Sequence, residues 1–133
     1  VIGDSSTLFL DDAAFAAFGG DFNQLTDALT RCEGAGESPV AILRVAQKHG
    51  QKLHLAAASR EAGHAMDPKR LGVHWTRSAG FEKQMRQWSS DRLMRALEIL
   101  TDAELMAKST GMPAASACGD ALLRIARAAR VSR

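Results

Sequence analysis

Apolar and polar residues alternate with a helical period along most of this chain, most clearly over residues 38–62. Apolar residues recur there at three- and four-residue steps, which predicts an amphipathic helix of about seven turns. Ser38 is a suitable N-cap, Pro39 fits the first helical position, and Gly63 is a suitable stop. The apolar side of this helix is predicted to comprise Ile42, Val45, Ala46, His49, Leu53, Ala56 and Ala57.

Two shorter helices are predicted before it. Residues 1–10 begin with turn residues and an apolar run, which fits either a lead-in strand or an extended segment. Asp11 and Asp12 then favour the start of a short helix, because acidic side chains suit the positive end of the helix dipole. A second helix follows the next glycine pair, with Asp21 or Asn23 as its cap.

The segment after Gly63 is the least regular part of the chain. Asp67 and Pro68 predict a single helical turn. The stretch between Gly72 and Gly80 is expected to be a loop that lays Trp75 on the core. A short amphipathic helix is predicted next, from the spacing of Phe81, Met85 and Trp88.

Two longer helices complete the predicted architecture. The first runs from a cap at Ser89 or Ser90 to about Lys108, and the second begins at Met112–Pro113. Because no convincing strand pair is present, the sequence predicts an all-α fold. We expect an antiparallel helical bundle of six or seven helices around a long central helix, forming one domain over residues 1–133.

Composition supports a globular protein, with 46% hydrophobic and 24% charged residues among 133. There is no apolar run long enough to span a membrane and no secretory pattern at the start. Cys32 and Cys118 lie far apart in the sequence and form no metal-ligand pair, so we expect a reduced, cytoplasmic setting. Because the sequence starts with Val1 rather than methionine, we also expect it to be part of a longer protein.

The net charge of +2 is unevenly distributed. Residues 1–37 carry seven acidic and one basic residue, a net charge of −6, whereas residues 38–133 carry sixteen basic and eight acidic residues, a net charge of +8. Such asymmetry fits a surface that attracts a polyanion or an acidic partner. The alternative is that the acidic segment packs beside the basic remainder, and the mild overall charge favours it.

No catalytic motif is evident. The histidines lack metal-ligand spacing, no glycine-rich phosphate loop or nucleophile elbow is present, and the carboxylates in adjacent or near positions diverge. The two cysteines lie among apolar helix positions, which favours buried hydrophobic residues over a catalytic thiol. The sequence therefore predicts no catalytic residue, no metal ligand and no cofactor, and an enzyme is the weakest interpretation.

Two basic rows are the remaining candidates for binding. Each could contact phosphate or an acidic partner, although solvated helix faces often carry such rows. The aromatic residues near Trp75 could form a binding patch, but their helical spacing favours the core. The rows are Arg44, Lys48 and Lys52 in the long helix and Arg124, Arg127 and Arg130 in the last helix.

Three stretches, taken in order, resemble the C-terminal region of the delta subunit of the bacterial DNA polymerase III clamp loader. They are LDDAAFAAFGGDF, ESPVAILRVAQKHGQKLHLAA and FEKQMRQWSSDRLMRALEILTDAELMAKSTGMP. The most specific parts are S-P-V-x-I-L-R and W-S-x-x-R-L-x-x-A-L. The resemblance runs over roughly Val1 to Ala129, and the alanine-rich composition resembles alphaproteobacterial members.

The resemblance implies a non-catalytic collar domain. Family members carry two N-terminal AAA+-related domains, absent from this chain, one of which opens the sliding clamp. The delta subunit does not hydrolyse ATP and is an accessory to a DNA-directed DNA polymerase. Its C-terminal domain would join the motor subunits (gamma/tau) and delta-prime in a pentameric loader that places the clamp on primed DNA during replication. The alternative, from the residues alone, is a small helical nucleic-acid-binding module acting through the basic rows.

Some members of the family that this chain resembles carry an aromatic residue near the corner before the last helix. In those members the aromatic residue is positioned to contact the end of the primed template. Here the corner is Lys108-Ser109-Thr110-Gly111-Met112-Pro113, which contains no aromatic residue. A base-stacking role at this corner is therefore not expected.

Overall fold

The computed structural model describes residues 4–109, 111 and 113–131, and this part of the chain is all-helical, as predicted. It contains six α-helices and two 3-10 turns, without a β-strand. In the same residues, no helix combines the length and apolar character needed to cross a membrane. The elements are α1 (Asp4–Gly19), α2 (Phe22–Gly34), α3 (Pro39–Glu61), a first 3-10 turn (Pro68–Leu71), a second 3-10 turn (Trp75–Arg77), α4 (Ser78–Gln87), α5 (Ser90–Lys108) and α6 (Ala114–Val131).

The long helix α3 forms where the sequence predicts it. Ser38 caps it, because its hydroxyl oxygen accepts a hydrogen bond from the backbone N–H of Ala41 at 3.1 Å. Gly63, just beyond its end, has a φ of +90°, a left-handed conformation that glycine adopts without strain. Its buried residues are Ile42, Leu43, Ala46, Gly50, Leu53, Ala56 and Ala57.

Helices α1 and α3 each pack against several others. Helix α3 contacts α1, α4, α5 and α6, and α1 also contacts α2, α4 and α6. Gly50 permits the close packing, since a Cβ there would lie 3.0 Å from both the Phe18 ring and a methyl group of Leu97. The core thus continues from α1 through α3 to α5.

The prediction for the start of the chain is wrong over the described residues. Instead of a strand or extended segment, α1 begins at Asp4, and Asp11 and Asp12 lie in the middle of this helix rather than at its start. Leu10 is buried together with Phe18 and the alanines of the same helix. Packing against the core therefore favours a helix that begins earlier than predicted. Val1–Gly3, which belong to the predicted strand or extended segment, lie outside the described residues. The same is true of Thr110 and Met112 in the corner between α5 and α6.

The segment 64–80 also differs from the prediction at its end. Asp67 caps the expected single turn, because its carboxylate accepts the backbone N–H of Lys69 at 3.0 Å. Gly80, however, lies inside α4 rather than closing a loop. A Cβ at Gly80 would come within 2.8 Å of the Phe15 ring, so a glycine there lets α4 approach α1 closely.

Side chains from neighbouring helices form hydrogen bonds with backbone groups at several helix ends. The indole of Trp88 donates to the Phe18 carbonyl at 2.9 Å, and the guanidinium of Arg130 donates to the Gly20 carbonyl at 2.8 Å, so both complete the end of α1. At the start of α5, the Glu61 carboxylate accepts hydrogen bonds from the backbone N–H and the hydroxyl of Ser90. These bonds fix the relative positions of helices that are far apart in the sequence.

A buried histidine links three helices. His49 of α3 contacts the rings of Phe15, Phe18 and Phe81, with centroids 5.2–5.5 Å away. Gln84 of α4 donates from Nε2 to the Phe15 carbonyl at 3.0 Å, which leaves its Oε1 as the acceptor for His49 Nε2 at 2.7 Å. His49 therefore carries its proton on Nε2, and burial lowers its pKa to about 4.

Candidate interaction surfaces

The first predicted basic row, on α3, does not form one exposed surface. Arg44 lies 3.3 Å from the Glu104 carboxylate, which also accepts a hydrogen bond from Gln47 at 2.9 Å and lies 2.7 Å from the Lys108 ammonium. These interactions, led by the hydrogen bond from Lys108, lower the pKa of Glu104 to about 2. Arg44 thus joins α3 to α5, which gives it a structural role.

Replacing Glu104 by glutamine tests this cluster. At neutral pH we expect a lower urea midpoint for Glu104→Gln, because the variant loses its charged partners Arg44 and Lys108. The folded-state pKa lies below the usual 4.5, so this stabilisation is present above pH 4.5 and is lost as the pH falls towards 2. The two unfolding curves should therefore converge in acid. Glu98→Gln is the control. Glu98 forms an exposed ion pair with Arg95, and such pairs contribute little to the free energy of unfolding.

The rest of the α3 row does not join the cluster around Glu104. Lys48 is exposed, and Lys52 is half-buried and extends towards the first 3-10 turn. The Lys52 ammonium nitrogen lies 3.8 Å from the position that a Cβ on Gly72 would occupy. Lys52 is therefore close to the basic segment that carries Lys69 and Arg70, both of which are exposed.

The second predicted row, on α6, is exposed but is also divided. Arg124 and Arg127 have no hydrogen-bond or ion-pair partner within the described residues. Arg130 instead donates to Gly20, and its guanidinium lies 4.6 Å from the centroid of the Phe22 ring. Arg130 thus stabilises the junction between α1 and α2, and only Arg124 and Arg127 remain available for a partner.

Trp75 is the most exposed aromatic residue in the described part of the chain, contrary to the prediction that it lies on the core. Its side chain is 79% exposed at the start of the second 3-10 turn. His74 caps this turn by accepting the backbone N–H of Thr76 at 3.2 Å, and the His74 ring lies 5.7 Å from the indole. A solvent-facing indole that follows Lys69 and Arg70 closely in the sequence is a suitable surface for stacking against a flat partner.

An apolar face on α5 is the second exposed surface, and sequence reasoning missed it. We define the α5 face by Met94, Leu97, Thr101 and Leu105, which recur at intervals of three or four residues. Met94 is 55% and Leu105 63% exposed, and Met94, Leu97 and Thr101 line a shallow hollow of about 410 Å³. Met94 and Leu105 lie outside the buried side of α5, which comprises Leu93, Ala96, Leu100 and Ala103, and this surplus of apolar residues was the available signal.

The two cysteines, Cys32 and Cys118, are both buried. Burial raises the pKa of Cys32 to about 11 and that of Cys118 to about 12, so both thiols stay protonated near neutral pH. Among residues 4–109, 111 and 113–131, no group of three or more histidine, cysteine, aspartate or glutamate side chains could hold a metal ion.

No protein family, curated protein or solved structure matches this chain. The resemblance to the clamp-loader delta subunit thus depends on the ordered motifs in the sequence.

Proposed function

We propose that this chain is a non-catalytic helical oligomerisation domain, the collar domain of a bacterial clamp-loader delta subunit. In this proposal the helices form an antiparallel bundle around α3 and act in the cytoplasm during DNA replication. The exposed α5 face is the observation that carries the proposal. An apolar stripe on a helix with a firmly packed opposite side is typical of a surface that another protein covers.

The proposed partners are the motor subunits (gamma/tau) and delta-prime. The sliding clamp would be engaged through N-terminal domains that precede this sequence. Helix-to-helix docking needs only a rigid apolar face and matching charges at its rim, without a cofactor. The packing of α5 against α3 and α6 provides that rigidity.

Size-exclusion chromatography with purified motor and delta-prime subunits tests the proposal. We expect the chain to co-elute with them, and we expect Met94→Glu or Leu105→Glu to abolish co-elution, because a charge would be buried unpaired. Met106→Glu is the matched control, since Met106 is also exposed on α5 but lies on another side of the helix. A folded wild-type chain that does not co-elute contradicts the clamp-loader assignment.

A second candidate function, binding of single-stranded or primed DNA, is favoured by the exposure of Trp75. Aromatic side chains beside basic residues bind unpaired bases by stacking, while the basic side chains contact phosphate. Lys69 and Arg70 lie six and five residues before Trp75, and Lys52 extends towards the same segment. This surface is distinct from the α5 face, so both functions can coexist.

Replacing Trp75 by alanine tests the DNA interaction. We expect about tenfold weaker binding of a fluorescent single-stranded oligonucleotide, because stacking on one base contributes roughly 1–3 kcal/mol. Trp75→Phe should retain most of the affinity. Fluorescence anisotropy at several salt concentrations measures both the affinity and the phosphate contribution, which weakens as salt rises. Equal affinities for wild type and Trp75→Ala would remove Trp75 from the interaction.

A further inference from the structure

The two cysteines are far apart in the sequence but belong to the same core. Cys32 lies on the buried side of α2, and Cys118 is the first buried residue of α6. Cys32 is 0% and Cys118 2% exposed, and both are free thiols. Both side chains are part of one continuous apolar cluster, so neither thiol faces solvent.

Helices α2 and α6 contact each other, with Cα atoms that approach to within 8 Å. Near the end of α6, the Arg130 guanidinium lies 4.6 Å from the centroid of the Phe22 ring, which is the first residue of α2. The same guanidinium donates to the carbonyl of Gly20, just before α2. The start of α2 therefore lies beside the end of α6, as in an antiparallel helix pair.

Similar distances along the two helices bring the cysteines to the same level. Cys32 follows Phe22 by ten residues, a rise of about 15 Å along α2. Cys118 precedes Arg130 by twelve residues, a distance of about 18 Å back along α6. In an antiparallel pair the two cysteines thus differ in height by only about 3 Å.

The electrostatics of Cys118 also indicate that the two thiols are close. Burial is the main cause of the raised pKa of Cys118, and the negative charge of the Cys32 thiolate raises this pKa further. The effect of one charge on another decreases with distance, so Cys32 must be a near neighbour. The end of α2 therefore meets the start of α6 at the two cysteines, as the helix lengths indicate.

We propose that Cys32 and Cys118 are a modification site, a buried pair of thiols that forms an intramolecular disulfide between α2 and α6 in the folded chain. A disulfide requires Cα atoms about 4.4–6.8 Å apart, so the two helices must approach closely. The next buried residues on the two helices, Ala28 and Ala121, are small and permit this approach. The inference goes beyond the proposed function and depends on neither the collar assignment nor DNA binding.

The oxidant in this proposal is a low-molecular-weight disulfide such as oxidised glutathione. The thiolate of one cysteine attacks a sulfur of the oxidant, forms a mixed disulfide and releases one small thiol. The other protein thiolate then attacks the protein sulfur of the mixed disulfide, forms the bond between Cys32 and Cys118 and releases the second small thiol. The two protein thiols lose two electrons and two protons, and the small disulfide gains them.

The pair is expected to respond slowly and to stay reduced in an ordinary cytoplasm. The attacking species is a thiolate, and the pKa values of both cysteines are raised, mainly by burial. Cys32 lies in the last turn of α2, two residues before its end at Gly34, so local opening of this turn exposes the thiol. Once formed, the bond closes a loop over residues 33–117, which constrains the unfolded chain and stabilises the fold.

Equilibration in glutathione redox buffers tests the proposal independently of the reaction rate. The reduced chain is unfolded in urea and then held in buffers of graded reduced-to-oxidised ratio, either after removal of the urea or in concentrated urea. Acid quenching, alkylation and mass spectrometry measure the fraction that contains the bond between Cys32 and Cys118. We expect the equilibrium constant for its formation to be at least about thirtyfold larger in the folded chain, because a native disulfide typically opposes unfolding by this factor or more.

Urea unfolding measures the same coupling from the other side. The disulfide-bonded chain should unfold at a higher urea concentration than the reduced chain, and dithiothreitol should reverse the shift. Cys32→Ala and Cys118→Ala are the matched controls, since each removes one partner and keeps a small apolar side chain. Neither variant should change its urea midpoint with oxidised glutathione. If a variant does not fold, the oxidised and reduced wild-type chains still decide the result.

Three results would overturn the proposal. The first is an equilibrium constant for the bond that is no larger in the folded chain than in urea. The second is a disulfide-bonded chain with a lower urea midpoint than the reduced chain. The third is a folded chain whose only oxidised products are glutathione adducts or disulfides between copies. Each would show that the fold does not hold the two sulfurs in bonding geometry.

Discussion

Replacing Trp88 by alanine is expected to lower the free energy of unfolding by about 4 kcal/mol, since truncating a buried tryptophan removes its packing and leaves a cavity. Trp88 is 1% exposed and contacts Phe18, with ring centroids 5.5 Å apart. The Arg92 guanidinium lies 5.3 Å from its ring centroid. Urea-induced unfolding followed by far-UV circular dichroism measures the loss.

Trp88→Phe separates packing from hydrogen bonding. The smaller ring keeps much of the apolar contact but cannot donate to the Phe18 carbonyl, which is left without this partner at the end of α1. We expect a loss of about 2 kcal/mol, within the range for an unsatisfied buried polar group. A loss for Trp88→Phe equal to that for Trp88→Ala would assign the whole effect to the hydrogen bond.

Trp75→Ala is the matched control for the stability measurement. The same substitution at this exposed residue should change the free energy of unfolding by less than about 0.5 kcal/mol. The two tryptophans are thus expected to have opposite phenotypes. Trp88 would affect stability, and Trp75 would affect binding of single-stranded DNA. A large destabilisation by Trp75→Ala would contradict its placement on the surface.

Acidification from pH 6.5 to pH 4 is expected to remove about 3 kcal/mol of stability through His49 alone, from the difference between its unfolded and folded pKa values. Burial disfavours the imidazolium and so lowers the pKa of His49. The nearby charges of Lys52 and Arg77 lower this pKa further, whereas the hydrogen bond with Gln84 raises it. In this range the unfolded chain binds a proton that the folded chain does not, so stability falls with pH.

His49→Gln removes the titrating ring while keeping a donor for Gln84. We expect the dependence of stability on pH between 6.5 and 4 to become shallower in this variant, whatever its stability at neutral pH. His64→Gln is the matched substitution at an exposed histidine that does not contact Gln84. Because Glu104 titrates below pH 4.5, its contribution appears in a separate range. An unchanged slope in His49→Gln would show that His49 is not the responsible group.

Local signals in the sequence were sufficient to predict where several helices begin. Ser38 caps α3 as predicted, Ser89 rather than Ser90 caps α5, and Asp21 rather than Asn23 caps α2. A cap acts within three residues of its own position, so it can be recognised without tertiary contacts. Glu104 pairs with Lys108 four residues further along the same helix, as spacing alone indicates, whereas Arg95 pairs with Glu98 rather than with Asp91.

The candidate surfaces were less predictable, because exposure depends on which helices cover a residue. Trp75 and Trp88 are the same residue type in neighbouring segments, yet one faces solvent and the other lies in the core. Similarly, Arg124 and Arg130 belong to one predicted row, but only Arg130 lies close enough to α1 to donate to Gly20. Periodicity shows which residues share a face but does not show what lies opposite that face.

By itself, the sequence determined the helical class of the fold and where α3 and α5 begin and end, because these properties follow from caps and from residue spacing within one helix. The tertiary structure decided the burial of His49 against Gln84, the exposure of Trp75 and of the α5 face, and the pairing of Arg44 with Glu104. The physical reason is that these properties arise from contacts between residues far apart in the chain. Only the packing of the helices against one another decides which of those residues meet.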